Sequence, residues 1–384
     1  MKRIQVTPRP NWQDEMSRIG FDYHSIDGNY WQEDACYLFD EQEIDTLEST
    51  TETLHAMYMQ AVGQVVKSGD YARLGINDTA ATLIERSFAR QEMSLYGRFD
   101  LCFDGKNPPK LYEYNADTPT SLFEASVAQW YWLQAQTGEL ANADQFNSIH
   151  ERLLVQFGAL KAQSLGEFFL HFTAVSRSDE DRITTQYLQD VAIQAGLATD
   201  YLDIGAIGWR QHDLNFTDTQ DRVIRHLFKL YPWEWLLAEE FGQHIASSQT
   251  NFIEPAYKLL MSNKALLAVL WEMFPNHPNL LPASLNPNEL GGQVVKKPFF
   301  SREGANIHLQ YGNTTLNTTG DYGNEGFVYQ ATHPLPAFTN NHGQTVYAVI
   351  GSWIVGNGAA GIGVREDDTL ITKDTSLFVP HAFL

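Results

Sequence analysis

Cysteine is scarce: the 384 residues include only Cys36 and Cys102, with no CxxC spacing. This excludes a disulfide-stapled secreted scaffold, and both thiols read as small buried hydrophobes in a reducing cytoplasm. Long apolar runs are missing too. No stretch approaches the length that crosses a bilayer, and the opening MKRIQVTPRPNWQDEM lacks the apolar segment of a leader, so neither export nor membrane insertion is expected. Basic residues are few: 26 Lys and Arg against 47 Asp and Glu leave a net charge of −21. Such a field repels polyanions and disfavours non-specific nucleic-acid binding, while admitting a cationic partner or a metal-bound nucleotide in a local basic pocket. The 12 histidines show no HExxH or paired spacing, so a zinc site has no support. No internal repeat or low-complexity tract stands out.

What remains is globular material, 43% hydrophobic and 19% charged, enough for one large enzyme with subdomains. The spacing predicts a helix over 41–68, with Asp40 and Glu43 as a capping box, an apolar stripe from Ile44 to Val65, and Gly69 as its stop. Strands are expected at 95–103 and 110–115 around the turn-rich DGKNPP, followed by a helix opening at Thr118-Pro119 and running to about Gln136. Residues 165–262 alternate between strand and helix, the pattern of a layered α/β unit. From Asn263 a helix and a loop rich in Pro and Asn (275–289) lead into what reads as mostly antiparallel sheet. Trp130, Tyr131, Trp132, Trp233 and Trp235 read as core aromatics of helices.

The most informative stretch is YGRFDLCFDGKNPPKLYEYNAD, Tyr96 to Asp117. A hairpin centred between Lys106 and Asn107 sets Asp100 opposite Glu113 and Arg98 opposite Asn115. Strand alternation then sends all four side chains to one face and Phe99, Leu101, Tyr112 and Tyr114 to the other. Two carboxylates about 5 Å apart call for a cation between them, and Mg²⁺ favours carboxylate and amide oxygens. Arg98 beside them offers a fixed fork to an anion. The alternative is a solvated ribbon face with a routine Arg–Asp pair, and a one-residue slip would destroy the pairing.

The strings YGRFD, YEYNADTPTSLFEAS, NKALLAVLWEMFPNHPNLL, VVKKPFFSREGANI and GVREDDTLITKD resemble the synthetase part of glutathionylspermidine synthase, and more closely the stand-alone acid–amine ligases of that family. The likeness runs over nearly the whole chain. It implies an α+β architecture: a circularly permuted ATP-grasp fold with an additional layered α/β, pre-ATP-grasp-like subdomain. Within one catalytic unit, 1–164 would be a helical region plus the metal-binding hairpin, 165–262 the α/β subdomain, and 263–384 the nucleotide-binding and lid region.

The resemblance also implies roles. Asp100, Glu113 and Asn115 match magnesium ligands, and Arg98 matches the arginine that steadies the transition state. Lys264 and Lys297 match the lysines that hold ATP phosphates, and Arg365 matches a late arginine at the nucleotide site. Arg98, Phe99, Asp100, Gly304 in the SREGAN lid and Gln330 on the adenine-contacting strand would complete the nucleotide contacts. Alternation sends Lys296 and Lys297 to opposite faces, and Lys297, next to Pro298, is the favoured one; both also fit a guard on an edge strand. The amides and hydroxyls of Thr118 and Ser121 could receive a carboxylate. Asp179 and Glu180, with Asp181 and Glu124, would recognise an amino group, or else form an ordinary acidic helix start.

These assignments imply ATP and Mg²⁺ as cofactors and an ATP-dependent carboxylate–amine ligase that forms an amide through an acyl phosphate. The acid would be a peptide or amino acid, and the amine a polyamine or amino acid. TPTS differs from the synthase's Ser/Cys-containing segment, and no amidase domain is present, so glutathione and spermidine are not carried over as the pair. The alternatives are a nucleotide-binding regulatory relic without turnover and a phosphotransferase that releases a phosphorylated product.

Overall fold

The computed structural model describes all residues except 29, 163–167 and 374. The expected boundary at 164–165, where the α/β unit would begin, lies outside the described residues. The architecture is mixed α/β, and its centre is the predicted ribbon. Tyr96–Cys102 pairs antiparallel with Lys110–Asn115 on one side and with the long strand Thr345–Val355 on the other. Gly358–Asp367 and Leu377–Val379 extend this sheet outward. A second antiparallel sheet runs in the order Ala283–Ser284, Phe327–Ala331, Val294–Pro298, His308–Tyr311, Thr314–Asn317. The stretch from 169 to 253 forms a parallel sheet in the order Asn251–Ile253, His226–Leu230, Phe169–Ala174, Ala198–Asp203. Its crossover helix, Asp179–Gln194, buries Ile183, Leu188 and Val191.

The long helix spans Glu41–Ser68, with Asp40 and Glu43 closing the capping box and Gly69 left-handed at its end. Its apolar face covers the underside of the ribbon. Tyr58 meets Phe99 and Tyr114 edge-on at 5.6 and 5.0 Å, and those two rings stack on each other at 3.8 Å. Phe99 therefore lies fully buried under the sheet, and its ring cannot make the nucleotide contact expected of it.

Other expectations need correction. The ribbon keeps the expected register as far as Asp100–Glu113, but a bulge follows and Leu101 pairs with Leu111. The extra residue sends Tyr112 to the polar side, where its hydroxyl donates to the His333 carbonyl at 2.6 Å. The helix after the ribbon does not open at Thr118. Ser121 adopts φ 67°, and a π turn at Glu124–Ala128 leads into Gln129–Gln134. Helix Leu266–Met273 likewise begins three residues after Asn263. Trp132 and Trp233 are core residues, whereas Trp130, Tyr131 and Trp235 are exposed. Both cysteines are free and buried. Among the described residues no helix is long and apolar enough to cross a membrane.

Candidate active site

A cleft of about 1160 Å³, including its open mouth, lies between the ribbon's polar face and the second antiparallel sheet. Arg98, Asp100, Glu113 and Asn115 form one wall, Lys297 and Gln330 face them, Gly304 lies on the loop above, and Arg365 reaches in from Gly358–Asp367, the second strand over from the ribbon. Leu309, Leu335, Val349 and Leu370 make the far end apolar. Such a cleft, apolar at one end and charged at the other, suits a ligand built the same way.

The three oxygen-bearing residues converge. The Asn115 amide nitrogen stands 3.3 Å from an oxygen of Asp100 and 3.3 Å from one of Glu113. Cations already answer the two carboxylates. Arg98 holds Asp100 through Nε at 2.7 Å and Nη2 at 3.2 Å, and Arg365 reaches the same carboxylate at 2.8 Å. Lys264 lies 3.3 Å from Glu113, reaching it from a small adjoining pocket behind the cleft wall. The expected Arg98–Asp100 pair exists, then, but buried rather than solvated.

These charges set the titration of the site. Burial pushes the Glu113 carboxyl up, but Lys264 and Lys297 outweigh it and hold the group at about 2. Burial pulls the Lys297 ammonium down to about 8, with Glu113 opposing. Burial and the neighbouring Arg98 lower Arg365. Four cations surround two carboxylates, a local excess of positive charge inside a chain of net charge −21.

Strand alternation resolves the paired lysines. Lys297 faces the cleft, donating to the Tyr112 carbonyl at 3.0 Å and to Gln330 Oε1 at 2.8 Å, while Lys296 lies 3.7 Å over the Phe327 ring on the other side. Gln330 is engaged at both ends, because its Nε2 donates to the Leu111 carbonyl at 3.0 Å. As found, it holds Lys297 rather than offering its amide to a base. Close approach explains two glycines. A Cβ on Gly351 would stand 2.7 Å from Arg98 Cδ, and one on Gly304, at φ +69°, would stand 2.8 Å from the Thr372 carbonyl.

A second cluster lies behind the loop 117–121. Fully buried Glu124 accepts from the Tyr30 hydroxyl at 2.6 Å, and its other oxygen has no hydrogen-bond partner within normal distance among the described residues. The same hydroxyl is 3.2 Å from Ser121 Oγ, and the Ser121 amide donates to Glu180 at 3.3 Å. Burial, then Glu124 and Asp181, push Glu180 up to about 8, and burial raises Glu124. Asp179 is not brought here: it pairs with Arg182 at 2.8 Å on the exposed start of its helix. Thr118 lines the cleft and accepts from Arg302 Nη1 at 2.7 Å. Sequence reasoning misses Tyr30, which carries no motif, and Tyr112, hidden by the bulge. It also misses Arg302, whose role depends on a partner 68 positions away, Glu234, at 3.0 Å.

Residues 3–384 match the family described as Glutathionylspermidine synthase preATP-grasp. The chain is 44% identical to a Haemophilus influenzae protein named "Putative acid–amine ligase", over the whole of both chains. It is 25% identical to the bifunctional glutathionylspermidine synthetase/amidase of Escherichia coli over 96% of this chain and 63% of that one. It is also 25% identical to trypanothione synthetase of Crithidia fasciculata, over 85% and 53%; the chain thus spans under two thirds of both longer enzymes. Among solved structures, a glutathione synthetase-like effector from Globodera pallida shares the fold at TM-score 0.58 and 9% identity, over 90% of this chain and 88% of that one. The chain belongs to the glutathionylspermidine synthase family.

Proposed function

We propose that this protein is an ATP-dependent carboxylate–amine ligase that joins a peptide or amino-acid carboxylate to an amine, on a circularly permuted ATP-grasp framework. The observation that carries the reading is the cationic surplus around the oxygen donors of the ribbon. A buried cleft that gathers four cations about two acids is built for a polyanion. The Asp100 and Glu113 carboxylates both lie within reach of the Asn115 amide, whose nitrogen faces them as found; with that amide turned to present its oxygen, Asp100, Glu113 and Asn115 would hold Mg²⁺. Bound MgATP supplies the phosphoryl group that activates the substrate carboxylate.

The chain's own residues do the rest. Lys264 and Lys297 would neutralise phosphate oxygens, and the fixed fork of Arg98 would oppose the negative charge that grows on the carbonyl oxygen during amine attack. The loop carrying Gly304 would close over the nucleotide and exclude water. Thr118 at the cleft wall, with Ser121 behind it, would orient the acid. Glu124 and Glu180, with Tyr30, would receive an ammonium group, which suits two neighbouring acids whose titration burial raises.

An ADP-release screen that pairs peptides and amino acids with polyamines and amino acids, followed by mass spectrometry, tests the reading. The expected product has the mass of acid plus amine less one water, formed one-to-one with ADP. Nucleotide binding without consumption of amine by any pair would favour the regulatory relic. A stable phosphorylated acid would favour a phosphotransferase.

A further inference from the structure

Apart from the cleft, the ion pairs most completely sealed from solvent among the described residues are Lys229–Asp117 at 2.7 Å and Lys258–Glu254 at 3.1 Å, with no side chain more than 1% exposed. Such pairs are poor sources of stability, since apolar residues of similar volume often serve as well or better. What a buried, fully hydrogen-bonded pair can fix is the position of backbone. Both pairs converge on the open end of the ribbon. Lys258 Nζ donates to the carbonyls of Tyr96, where the first strand starts, and Ala116, just past the second. Ser262 Oγ accepts from the amides of Ala116 and Asp117 at 3.1 and 2.9 Å, two residues before Lys264.

Asp117 also starts a closed ring of contacts. One carboxylate oxygen accepts from Lys229 and the other from the Trp233 amide at 2.9 Å. The next residue, Glu234, accepts from Arg302 at 3.0 Å, and Arg302 donates at 2.7 Å to Thr118, which adjoins Asp117. The ring links the parallel sheet, the loop above the cleft and the end of the ribbon, and Asn115 lies two residues from its origin.

We propose that Asp117 and Lys229 are positioning residues: their buried pair holds Asn115 and the Arg302 loop in mutual register, so that oxygen donors and lid are set together. This rests on the nucleotide reading of the cleft given above. The neutral variant D117N/K229M removes both charges and leaves no uncompensated ion. ATP binding is titrated at varied Mg²⁺, and lid closure is read as protection of the Arg302 peptide bond from trypsin on adding MgATP. The folded variant should keep its melting temperature within a few degrees. It should need about tenfold more Mg²⁺ for half-maximal ATP binding, the scale at which supporting residues act on a metal site, and it should lose the protection.

S262A, which deletes one hydroxyl from the same junction, carries the test if the double variant does not fold. It should raise the Mg²⁺ requirement several-fold. Unchanged Mg²⁺ dependence and protection in a folded variant would overturn the inference, because a merely structural pair would move the melting point and not these two readings. If the parent chain itself binds no MgATP, the reading of the cleft falls and this inference with it. If the parent binds and the variants match it, only this inference falls.

Discussion

Arg98 and Lys297 carry the same sign of charge but differ in freedom. Each of the three guanidinium nitrogens of Arg98 makes a hydrogen bond, two to Asp100 and one to the Thr120 carbonyl at 2.6 Å, so the group is fixed before any ligand arrives. Burial would lower it, but Asp100 together with Glu113 and Glu180 more than offsets that, so the group stays charged. A preorganised cation contributes most where charge develops during reaction. Arg98→Ala should therefore cut turnover by about 10²–10³-fold and change nucleotide affinity much less, since Arg365 and the two lysines remain. Equal losses in a nucleotide titration and a turnover assay would place Arg98 on nucleotide binding instead. Lys297 is held by a side chain and a carbonyl, partners it can release to a phosphate. Gln330 is thereby better understood as its holder than as a reader of the base.

At the scale of elements, legibility follows how local the determining physics is. The long helix can be read to the residue, because its capping box, stripe and terminal glycine lie within the segment. The ribbon's pairing from Arg98–Asn115 to Asp100–Glu113 is legible from alternation, although next to the turn Leu101 and Cys102 pair one residue off the expected register, with Leu111 and Lys110. The bulge is not, because the extra residue answers to the neighbouring strand and to the His333 carbonyl. Thr118-Pro119 carries a good helix-start signal, yet contacts from Arg302, Arg98 and Glu180 hold residues 118–121 as a loop. The Asp117–Lys229 pair joins residues 112 positions apart and leaves no local trace.

The same juxtaposition of elements makes the Glu124–Glu180 cluster testable. Packing the helix start at Glu180 against the π turn at Glu124 leaves Glu180 protonated up to about 8 in the folded chain, above its ordinary value of 4.5. Between those values the folded state holds a proton that the unfolded state has released, so stability falls as pH rises through the window. Glu180→Gln carries no charge in either state and escapes that loss. From about pH 5 to about pH 8.5 the parent's melting temperature should drop by a few degrees more than the variant's. Parallel profiles would mean that the two acids do not share a raised titration.

Across the whole molecule, charge is sorted by place. The chain carries −21 overall, while the cleft gathers Arg98, Arg365, Lys264 and Lys297 around two acids. Long-range attraction thus belongs to cations and short-range attraction to phosphates, an arrangement suited to a ligase that takes both an amine and a nucleotide. Screening separates the two, because salt suppresses the distant field far more than contacts inside a closed cleft. Raising monovalent salt from about 0.02 M to about 0.3 M shortens the Debye length from roughly 20 Å to under 10 Å. Over that range kcat/KM for a cationic amine should fall several-fold, because steering by the acidic surface is lost. The affinity for MgATP should hold or improve, since the same surface repels it. If both constants fall together, the outer field plays no part in choosing the amine, and recognition of that substrate is left to Glu124, Glu180 and Tyr30 at close range.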